Sequence, residues 1–252
     1  MIGIRVSDMS KRYMTGDRSV QALDRVDFRI EPGSFVALIG YSGCGKTTLF
    51  RHISGLEKPD SGAVTFLNKS RQDSTDRPRL GMMFQEPRLL PWLTVQENLL
   101  LALRRTELEN HKQAVRESLI QVGMQDFAQA YPEQLSGGMA QRAALARALC
   151  RKPELLLMDE PFGALDALTR LQLQMELARI WSENPMTVLC ITHDIGEAVT
   201  LADLVLVMAD GRIAADRAVT LPRPRRPGQP DFEIMKGEIL DFILTNKKEL
   251  TL

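Results

Sequence analysis

The sequence is poor in cysteine and has no excess of charge of either sign. Only three of its 252 residues are cysteine. Because Cys44, Cys150 and Cys190 stand in unrelated contexts, a disulfide framework is disfavoured and a reducing cytosol is expected. No cysteine or histidine cluster has the spacing of metal ligands. The 32 Lys and Arg residues balance 32 Asp and Glu residues, so no overall field favours nucleic acid or anionic lipid, and a sequence-tolerant DNA or RNA binder is disfavoured.

Long apolar segments are also missing. Residues 1–5 contain no apolar signal stretch, and no uninterrupted apolar run approaches the length that spans a membrane. We therefore expect a soluble chain whose role at a membrane would be peripheral. Apolar residues make up 44% and charged residues 25% of the sequence, which is ordinary for a globular protein. A chain of this length can build one large α/β domain or two small ones without disulfide or metal staples.

Short apolar runs predict the strands of a buried sheet. Runs that suit strands covered on both faces of a parallel sheet occupy residues 35–39, 155–158, 188–191 and 204–208. Helical patterns separate these runs, for example at residues 168–181, which predicts a doubly wound α/β core. The Asp210-Gly211 pair after the last run predicts a hairpin and a late antiparallel element.

Other segments are expected to differ from this core. The first thirty residues predict short alternating strands, with Val26, Phe28 and Ile30 on one face. Residues 93–134 predict an inserted helical subdomain, since their apolar positions recur at helical spacing without a strand-like run. These positions are Leu108, Val115, Leu119 and Val122. The Pro/Arg segment at residues 221–228 cannot continue a helix or a central strand, and the amphipathic residues 234–244 after it predict a final helix.

Residues 40–48 carry the strongest functional signal. They fit the pattern G-x-x-x-x-G-K-[ST], follow a predicted buried strand and precede an apolar helix. Glycines let backbone N–H groups turn inward around a phosphate, and the helix N-terminus adds its positive end. Lys46 is expected to reach the β- and γ-phosphate oxygens, and the Thr47 hydroxyl to bind Mg²⁺. In this context a nucleotide site is favoured over an ordinary glycine-rich turn. Its residues are Gly40, Ser42, Gly43, Cys44, Gly45, Lys46, Thr47 and Thr48.

Two carboxylates, Asp159 and Glu160, directly follow the apolar run at residues 155–158. In P-loop proteins the first carboxylate at such a strand end holds Mg²⁺. The second is well placed to orient or deprotonate a water for attack on the γ-phosphate. Alone, the pair would indicate only a solvated strand end. Together with the phosphate loop, it predicts the hydrolytic part of a nucleotide site.

The segment at residues 135–142, Leu-Ser-Gly-Gly-Met-Ala-Gln-Arg, resembles the signature motif of the ATP-binding-cassette (ABC) ATPases. Ser136 offers a hydroxyl, and Gly137 and Gly138 expose backbone N–H groups at the start of a predicted helix, which makes a second anion site. The phosphate loop and the signature motif are then two half-sites for a γ-phosphate on one chain. This suits a dimer in which two chains face each other head to tail and each signature motif closes the partner's phosphate loop. An isolated Ser-Gly-Gly would indicate only a helix N-cap.

Other motifs of this family stand in the expected order. Gln85 resembles the glutamine of the Q-loop, Asp166 the aspartate of the D-loop and His193 the switch histidine. Tyr13 resembles the aromatic residue that stacks on adenine. The resemblance covers roughly residues 3–215, and its motifs make it highly specific.

The family resemblance implies a fold, cofactors and a set of site residues. The fold would be an α/β P-loop NTPase (RecA-like) core with an antiparallel β subdomain and an inserted helical subdomain, and the cofactors would be ATP and Mg²⁺. The implied divisions are a nucleotide-binding domain at 1–220, with its core at 1–84 and 135–220 and its helical subdomain at about 85–134, and a C-terminal extension at 221–252. The catalytic residues would be Glu160, His193 and Gln85, the metal ligands Thr47, Gln85 and Asp159, and the further nucleotide contacts Tyr13, Ser136, Gly137, Gly138 and Asp166.

An ATPase of this kind would energise solute import by a bacterial transporter. Residues 91–98 and the tail at 221–224 resemble the ATP-binding subunits of nitrate/sulfonate/taurine-type importers. This resemblance implies a homodimer on two separate transmembrane permease subunits, an indirect partnership with a periplasmic or extracellular solute-binding protein, and no nucleic acid partner. It also implies a peripheral position on the cytoplasmic face of the inner (plasma) membrane. The solute is not named by these residues, because its contacts would lie in the permease and the binding protein.

Two alternatives are weaker. A non-transport ABC ATPase of translation or DNA repair usually carries two cassettes, or a long coiled-coil insertion with basic surfaces, whereas this chain has one cassette and no net charge. A small-molecule P-loop kinase would need an acceptor site and a lid, and it would leave the signature motif unexplained.

Two residues depart from the usual family motifs. Tyr41 stands where proline is common, and Met139 where glutamine is common, although methionine also occurs in the importer branch. Tyr41 is expected to lie at an unconstrained position of the loop, with little effect on phosphate contacts. Residues 85–92 join the expected γ-phosphate contact to the helical insertion, so we expect them to form part of the groove that receives a cytoplasmic helix of the permease.

Overall fold

A computed structural model describes residues 1–16, 18–67, 73–74, 78–103 and 110–249 of the chain. The chain divides into two compact units, the first formed by Met1–Arg77 with Met186–Leu252 and the second by Pro78–Pro185. The strands are β1 (Gly3–Thr15), β2 (Arg18–Ile30), β3 (Phe35–Gly40), β4 (Ser61–Leu67), β5 (Asp73–Ser74), β6 (Leu80–Met83), β7 (Leu155–Asp159), β8 (Thr187–Thr192), β9 (Leu204–Ala209) and β10 (Arg212–Ala218). The α-helices are α1 (Lys46–Ile53), α2 (Val95–Leu103), α3 (His111–Gln121), α4 (Gly137–Leu149), α5 (Ala167–Glu183), α6 (Ile195–Leu201) and α7 (Pro230–Glu249). Within the described ranges, no helix is both long enough and apolar enough to cross a membrane.

The first unit opens with an antiparallel sheet in the order β2-β1-β4-β5. The sequence predicts short strands here, but β1 and β2 each run for 13 residues. Their pairing shifts register between Val6 and Met9 and again next to Lys11. Bulges of this kind let a strand continue where the alternation of apolar and polar residues breaks. The prediction of short strands is therefore wrong, although Val26 and Ile30 are buried as the alternation indicates.

The remaining strands of the first unit lie in the order β10-β9-β3-β8. Strand β3 pairs in parallel with both β8 and β9, whereas β10 pairs with β9 antiparallel. The apolar runs at 35–39, 188–191 and 204–208 form these strands as predicted. The Asp210-Gly211 hairpin is also confirmed, and its two residues have φ values of 46° and 76°. Two positive φ values belong to the tight turn whose twist matches that of its flanking strands.

The second unit combines a pair of parallel strands with four of the helices. Strands β6 and β7 pair with Met83 opposite Met158. Helix α4 packs against α2, α3, α5 and β6, and its buried positions include Ala143 and Ala144, whose small side chains allow close packing.

Helices α2 and α3 confirm the helical interpretation of residues 93–134 within the described part of the chain. Val115, Leu119 and Val122 are buried as that spacing predicts. Leu108 lies outside the described residues. The limits 85–134 for a separate helical subdomain, and the other division limits, stay predictions.

The C-terminal segment is anchored to the first unit. As expected, residues 221–228 form neither helix nor strand, and α7 contains the predicted helix at 234–244. The buried guanidinium of Arg225 donates hydrogen bonds to the carbonyl oxygens of Leu221 at 2.8 Å and Val199 at 2.9 Å. Burial lowers the pKa of Arg225 to about 10, which leaves it protonated at neutral pH. This Pro/Arg segment is therefore fixed by a buried cation.

Candidate functional site

The phosphate loop is the turn between β3 and α1. Strand β3 ends at Gly40, and α1 begins at Lys46 with Gly45 as its N-cap. Gly43 and Gly45 have φ values of 85° and 109°, a region that favours glycine because other residues place their Cβ too close to the following carbonyl. The first turn of α1 contains no acidic side chain, so its backbone N–H groups and the positive end of its dipole stay available for an anion.

Two glycines of this loop are required by close packing. A Cβ on Gly40 would lie 2.4 Å from the carbonyl oxygen of Met208, and one on Gly45 would lie 2.3 Å from that of Ala22. At Gly43, in contrast, an added Cβ would meet open space. The loop thus packs against β9 at Gly40 and against β2 at Gly45, and it is open in its middle, which fits a cradle for phosphate oxygens.

Lys46 is held at the base of this loop. Its side chain is only 6% exposed. Its ammonium donates hydrogen bonds to the carbonyl oxygens of Gly40 at 2.8 Å and Tyr41 at 3.0 Å. The cation is therefore fixed inside the loop, where it can be directed at a bound phosphate without losing long side-chain entropy on binding.

Tyr41 is constrained, contrary to the sequence-based expectation. Its hydroxyl hydrogen-bonds the carboxylate of Asp210 and accepts a hydrogen bond from the backbone N–H of Asp210 at 3.1 Å. The hydrogen bond to that carboxylate raises the pKa of Tyr41. Next to it, the carbonyl of Cys44 accepts from the backbone N–H of Gly211 at 3.1 Å. The phosphate loop is thus tied to the β9–β10 hairpin.

Cys44 occupies a buried position of the loop. Its side chain is 2% exposed, and burial raises the pKa of its thiol. A raised pKa keeps the sulfur protonated at neutral pH, and the thiolate is the reactive form. Cys44 thus acts as a small packing residue.

The first unit also brings His193 and Tyr13 towards the phosphate loop. His193 is exposed directly after β8, and together with Gly40 and Tyr41 it lines a cavity of about 270 Å³ whose other walls are largely apolar. The hydroxyl of Tyr13 donates to the Glu57 carboxylate at 2.8 Å. Burial raises the pKa of Tyr13, and a hydrogen bond from the side chain of Thr48, on α1, opposes this shift.

The second unit carries the predicted hydrolytic residues. Because β6 and β7 are parallel, the carboxyl ends of these neighbouring strands lie at one edge, with Gln85 shortly after β6, Asp159 as the last residue of β7 and Glu160 directly after it. Asp159 and Glu160 are half-buried. Glu160 has φ = 46°, and its carbonyl accepts from the backbone N–H of Gly163 at 3.2 Å. A non-glycine residue in this left-handed region costs about 1–2 kcal/mol, so the surrounding turn holds Glu160 in a direction that a continued strand would not give.

The backbone after Gln85 is clamped by side chains that the sequence analysis did not assign. From α4, the Gln141 amide donates to the carbonyl of Gln85 at 2.7 Å. The Arg147 guanidinium donates to the carbonyls of Pro87 at 2.8 Å and Arg88 at 2.6 Å. Their signal in the sequence is weak, because a glutamine and an arginine on a predicted helix usually face solvent.

The buried side chain of Asn98 extends this clamp from α2. Its amide oxygen accepts from the backbone N–H of Leu90 at 2.7 Å, and its amide nitrogen donates to the carbonyls of Leu93 and Thr94 at 3.1 and 3.0 Å. The backbone at residues 85–94 is therefore held from two helices. The side chains of Gln85 and Trp92, in contrast, are exposed, with 69% exposure for Trp92.

Replacing Arg147 with methionine should destabilise this clamp. The change keeps the length of the side chain but leaves two carbonyls without their charged donor, which should lower the free energy of unfolding by about 1–3 kcal/mol. Urea denaturation followed by circular dichroism measures the effect. Arg116→Met, on the exposed face of α3, is the matched control. Equal midpoints for both variants would show that the Arg147 hydrogen bonds contribute nothing to stability.

The signature residues form the start of α4. Ser136 is its N-cap, and the serine hydroxyl accepts from the backbone N–H of Met139 at 3.3 Å. A Cβ on Gly138 would lie 2.5 Å from the Cγ2 atom of Thr169 on α5, whereas one on Gly137 would meet open space. Gly138 thus permits close packing of two helix starts, and the exposed Gly137 leaves the N-terminal end of α4 uncovered.

Asp166 caps the neighbouring helix α5. Its carboxylate accepts from the backbone N–H groups of Leu168 at 3.1 Å and Thr169 at 3.0 Å, and these hydrogen bonds lower the pKa of Asp166. Because Thr169 contacts Gly138, the exposed residues Ser136 and Asp166 lie at the same end of the second unit. Both have a local capping role.

The structure thus groups the predicted site residues into two sets. The first unit holds Tyr13, the phosphate loop and His193. The second holds Gln85, Asp159 and Glu160 at one strand edge, with Ser136 to Gly138 and Asp166 at two helix starts. Among the described residues, no group of three or more His, Cys, Asp or Glu side chains could hold a metal ion. A Mg²⁺ site of the predicted type does not need one, since its ligands are a hydroxyl, an amide, one carboxylate and phosphate oxygens.

Comparison with known proteins identifies a matching family profile, relatives of similar length and a solved structure of similar fold. A family profile described as "ABC transporter" matches residues 23–163. The aliphatic sulfonates import ATP-binding protein SsuB of Zymomonas mobilis is 46% identical over 97% of this chain and 98% of its own length. The protein of that name from Ralstonia nicotianae is 45% identical over 98% of this chain and 83% of its own length. Among solved structures, the dimeric ATP-binding cassette MJ0796 bound to ADP and Pi matches with a TM-score of 0.75 and 30% identity, covering 87% of this chain and all of that chain.

Proposed function

The chain belongs to the ABC transporter family, and we propose that it is the ATP-binding and ATP-hydrolysing subunit of a bacterial solute importer. Family membership confirms the resemblance recognised in the sequence. It also confirms the fold class, a P-loop NTPase core with the antiparallel β subdomain and the inserted helical subdomain of ABC ATPases. The transport class in this proposal is supported by the import ATPases to which the chain is similar over nearly its full length.

The phosphate loop is the observation that carries the proposal. Lys46 is buried and fixed between two loop carbonyls, and the helix behind it starts without an acidic residue. This arrangement supplies a localised positive charge and backbone donors to the β- and γ-phosphates of ATP. The ring of Tyr13, beside the start of α1, would stack on the adenine.

We propose separate roles in hydrolysis for the predicted site residues. Mg²⁺ neutralises charge on the β- and γ-phosphates when bound, and we propose Thr47, Gln85 and Asp159 as the residues that hold it. Glu160 would accept a proton from the attacking water, since the left-handed turn directs it away from the strand. His193 would contact the γ-phosphate from the side of the phosphate loop, where it already lines a cavity with Gly40.

Two copies of the chain would complete the ATP sites. The solved cassette MJ0796 is a dimer, which supports a homodimer here. In the proposed head-to-tail arrangement, Ser136 and the uncovered N-terminal end of α4 would contact the γ-phosphate bound by the partner copy. Asp166, at the same end of the second unit, would lie at the dimer interface.

The proposed importer requires partners outside this chain. We propose two transmembrane permease subunits, a solute-binding protein acting through them, and a peripheral position on the cytoplasmic face of the inner membrane. The names of the relatives make an aliphatic sulfonate the first solute to test.

Genetic complementation tests this proposal. The chain is expressed in a bacterium that lacks the ATP-binding subunit of its own sulfonate importer, with an alkanesulfonate as the sole sulfur source. We expect growth with the wild-type chain and none with its Lys46→Ala variant. Parallel cultures on taurine and nitrate identify another solute of the same type. A purified chain that does not hydrolyse ATP would overturn the proposed function itself.

A permease-docking surface is proposed at residues 85–92. Glu86 and Arg88 are exposed, and the Arg88 guanidinium lies 4.1 Å from the centre of the Phe84 ring. Because the loop backbone is clamped while these side chains face outward, the surface is pre-formed for a cytoplasmic helix of the permease.

Charge reversal at this surface should uncouple transport from hydrolysis. Glu86→Lys or Arg88→Glu should reduce transport at least ~10-fold while basal ATPase activity stays within about twofold, because each change places a like charge against its partner. Solute uptake and phosphate release in vesicles containing the transporter measure the two quantities. Glu183→Lys, on the exposed end of α5, is the control. Cross-links that place the permease on the opposite face would refute this surface.

A further inference from the structure

A buried carboxylate lies on the helix that follows His193. Glu197, on α6, is 5% exposed, and it faces the end of β8. One carboxylate oxygen accepts a hydrogen bond from the Thr192 hydroxyl at 3.0 Å. The other accepts from the thiol of Cys190 at 3.5 Å. Burying a carboxylate is costly unless hydrogen bonds satisfy it, and here both oxygens are used to join α6 to β8.

The Thr192 hydroxyl links this carboxylate to the residue after His193. It accepts a hydrogen bond from the backbone N–H of Asp194 at 3.0 Å. A hydroxyl has one proton and two lone pairs. Because Glu197 takes the proton, the lone pairs of the hydroxyl are directed to the Asp194 N–H. The carboxylate therefore sets the direction of the hydroxyl that fixes the backbone on the far side of His193.

A further hydrogen bond joins Asp194 back to Glu197. The carboxylate of Asp194 accepts from the backbone N–H of Glu197 at 3.1 Å, which caps α6. The residues immediately before and after His193 are thus each held by hydrogen bonds that involve Glu197. The cap of α6 uses only the backbone of Glu197, so helix initiation does not explain why a carboxylate is buried there.

We propose that Glu197 is a positioning residue for His193. Through Thr192 and Asp194 it fixes the backbone on both sides of the histidine, so that the exposed imidazole is presented to the phosphate loop in one orientation. This inference rests on the proposed function, in which His193 contacts the γ-phosphate. A displacement of about 1 Å at a reacting centre can cost 10²-fold in rate, so a loosened histidine should slow turnover without weakening nucleotide binding.

Thr192 offers a matched pair of variants on the full chain. Thr192→Val keeps the shape of the side chain and removes the hydroxyl, whereas Thr192→Ser keeps the hydroxyl. We expect Thr192→Val to lower kcat about 10-fold, with KM and the Kd for MgATP within twofold of wild type, and Thr192→Ser to keep kcat within about twofold. Glu197→Gln, which removes the charge and one acceptor, should behave like Thr192→Val. Where His193→Ala itself lowers turnover, equal kcat values for the valine and serine variants would overturn the proposal.

Nuclear magnetic resonance of the imidazoles separates this inference from the proposed function. The chain has three histidines, and His193→Ala assigns the ring signals of His193. In Thr192→Val these signals should shift or broaden, while those of His52 and His111 stay unchanged; in Thr192→Ser none should move. Unchanged His193 signals in the valine variant would overturn the positioning role. If His193→Ala keeps wild-type turnover, the role of His193 in hydrolysis fails, and the ring signals alone decide whether Glu197 orients it.

Discussion

Replacing Lys46 with alanine is expected to abolish ATP hydrolysis and to weaken nucleotide binding. The Lys46 ammonium is fixed inside the phosphate loop by the carbonyls of Gly40 and Tyr41, so in the proposed site it would meet the phosphates in a set direction. A hydrogen bond to a charged group contributes about 1.5–3 kcal/mol, which corresponds to a loss of roughly 10- to 150-fold in affinity. Turnover should fall further, because the same cation stabilises charge that develops on the phosphoryl oxygens.

Equilibrium binding of a fluorescent ATP analogue and a phosphate-release assay measure these two effects. Lys58→Ala removes an exposed lysine of the same unit and should leave both unchanged. Circular dichroism of the Lys46→Ala variant tests whether the chain still folds when the two loop carbonyls lack their donor. Wild-type affinity together with wild-type turnover would contradict the assignment of residues 40–48 to the phosphate site.

The sequence predicts those parts of the fold that depend on local patterns. The phosphate loop could be located because glycine and lysine spacing determines its backbone, and the Asp210-Gly211 turn because few residues accept two positive φ values. The length of β1 and β2 could not be predicted, since bulges interrupt the alternation from which a strand is recognised. Local patterns thus fix the type of an element more firmly than its extent.

Contacts between distant side chains escaped prediction for a different reason. Tyr41 and Asp210 are 169 positions apart, and Gln141 and Gln85 are 56 apart. Their pairing depends on which strands become neighbours, which no local pattern of the chain contains. Glu197 was missed although its partners Thr192 and Cys190 are only five and seven positions away, because their contact depends on how α6 turns back onto β8. The polar residues that hold the loops were therefore missed, whereas the loops themselves were found.

Changing Asp159, the last residue of β7, and Glu160, the residue after it, to their amides should impair hydrolysis in different ways. Glu160→Gln keeps the size of the side chain but cannot take a proton from water, so turnover should fall by about 10²- to 10⁴-fold while MgATP still binds. Asp159→Asn should instead weaken the Mg²⁺ dependence of the reaction, because it removes the charge proposed to hold the ion. Titration of activity with Mg²⁺ separates the two, and Glu183→Gln on the exposed end of α5 is the control.

The Glu160→Gln variant should also accumulate as an ATP-bound dimer. If closure of the two-chain site precedes hydrolysis, blocking hydrolysis traps the closed state, with Ser136 of one copy on the γ-phosphate bound by the other. Size-exclusion chromatography with saturating MgATP should show a dimer for Glu160→Gln and a monomer for permease-free wild type. Adding Ser136→Glu to the variant should restore the monomer, since a carboxylate there repels the γ-phosphate. A Glu160→Gln protein that stays monomeric and hydrolyses ATP normally would show that Glu160 is not the base.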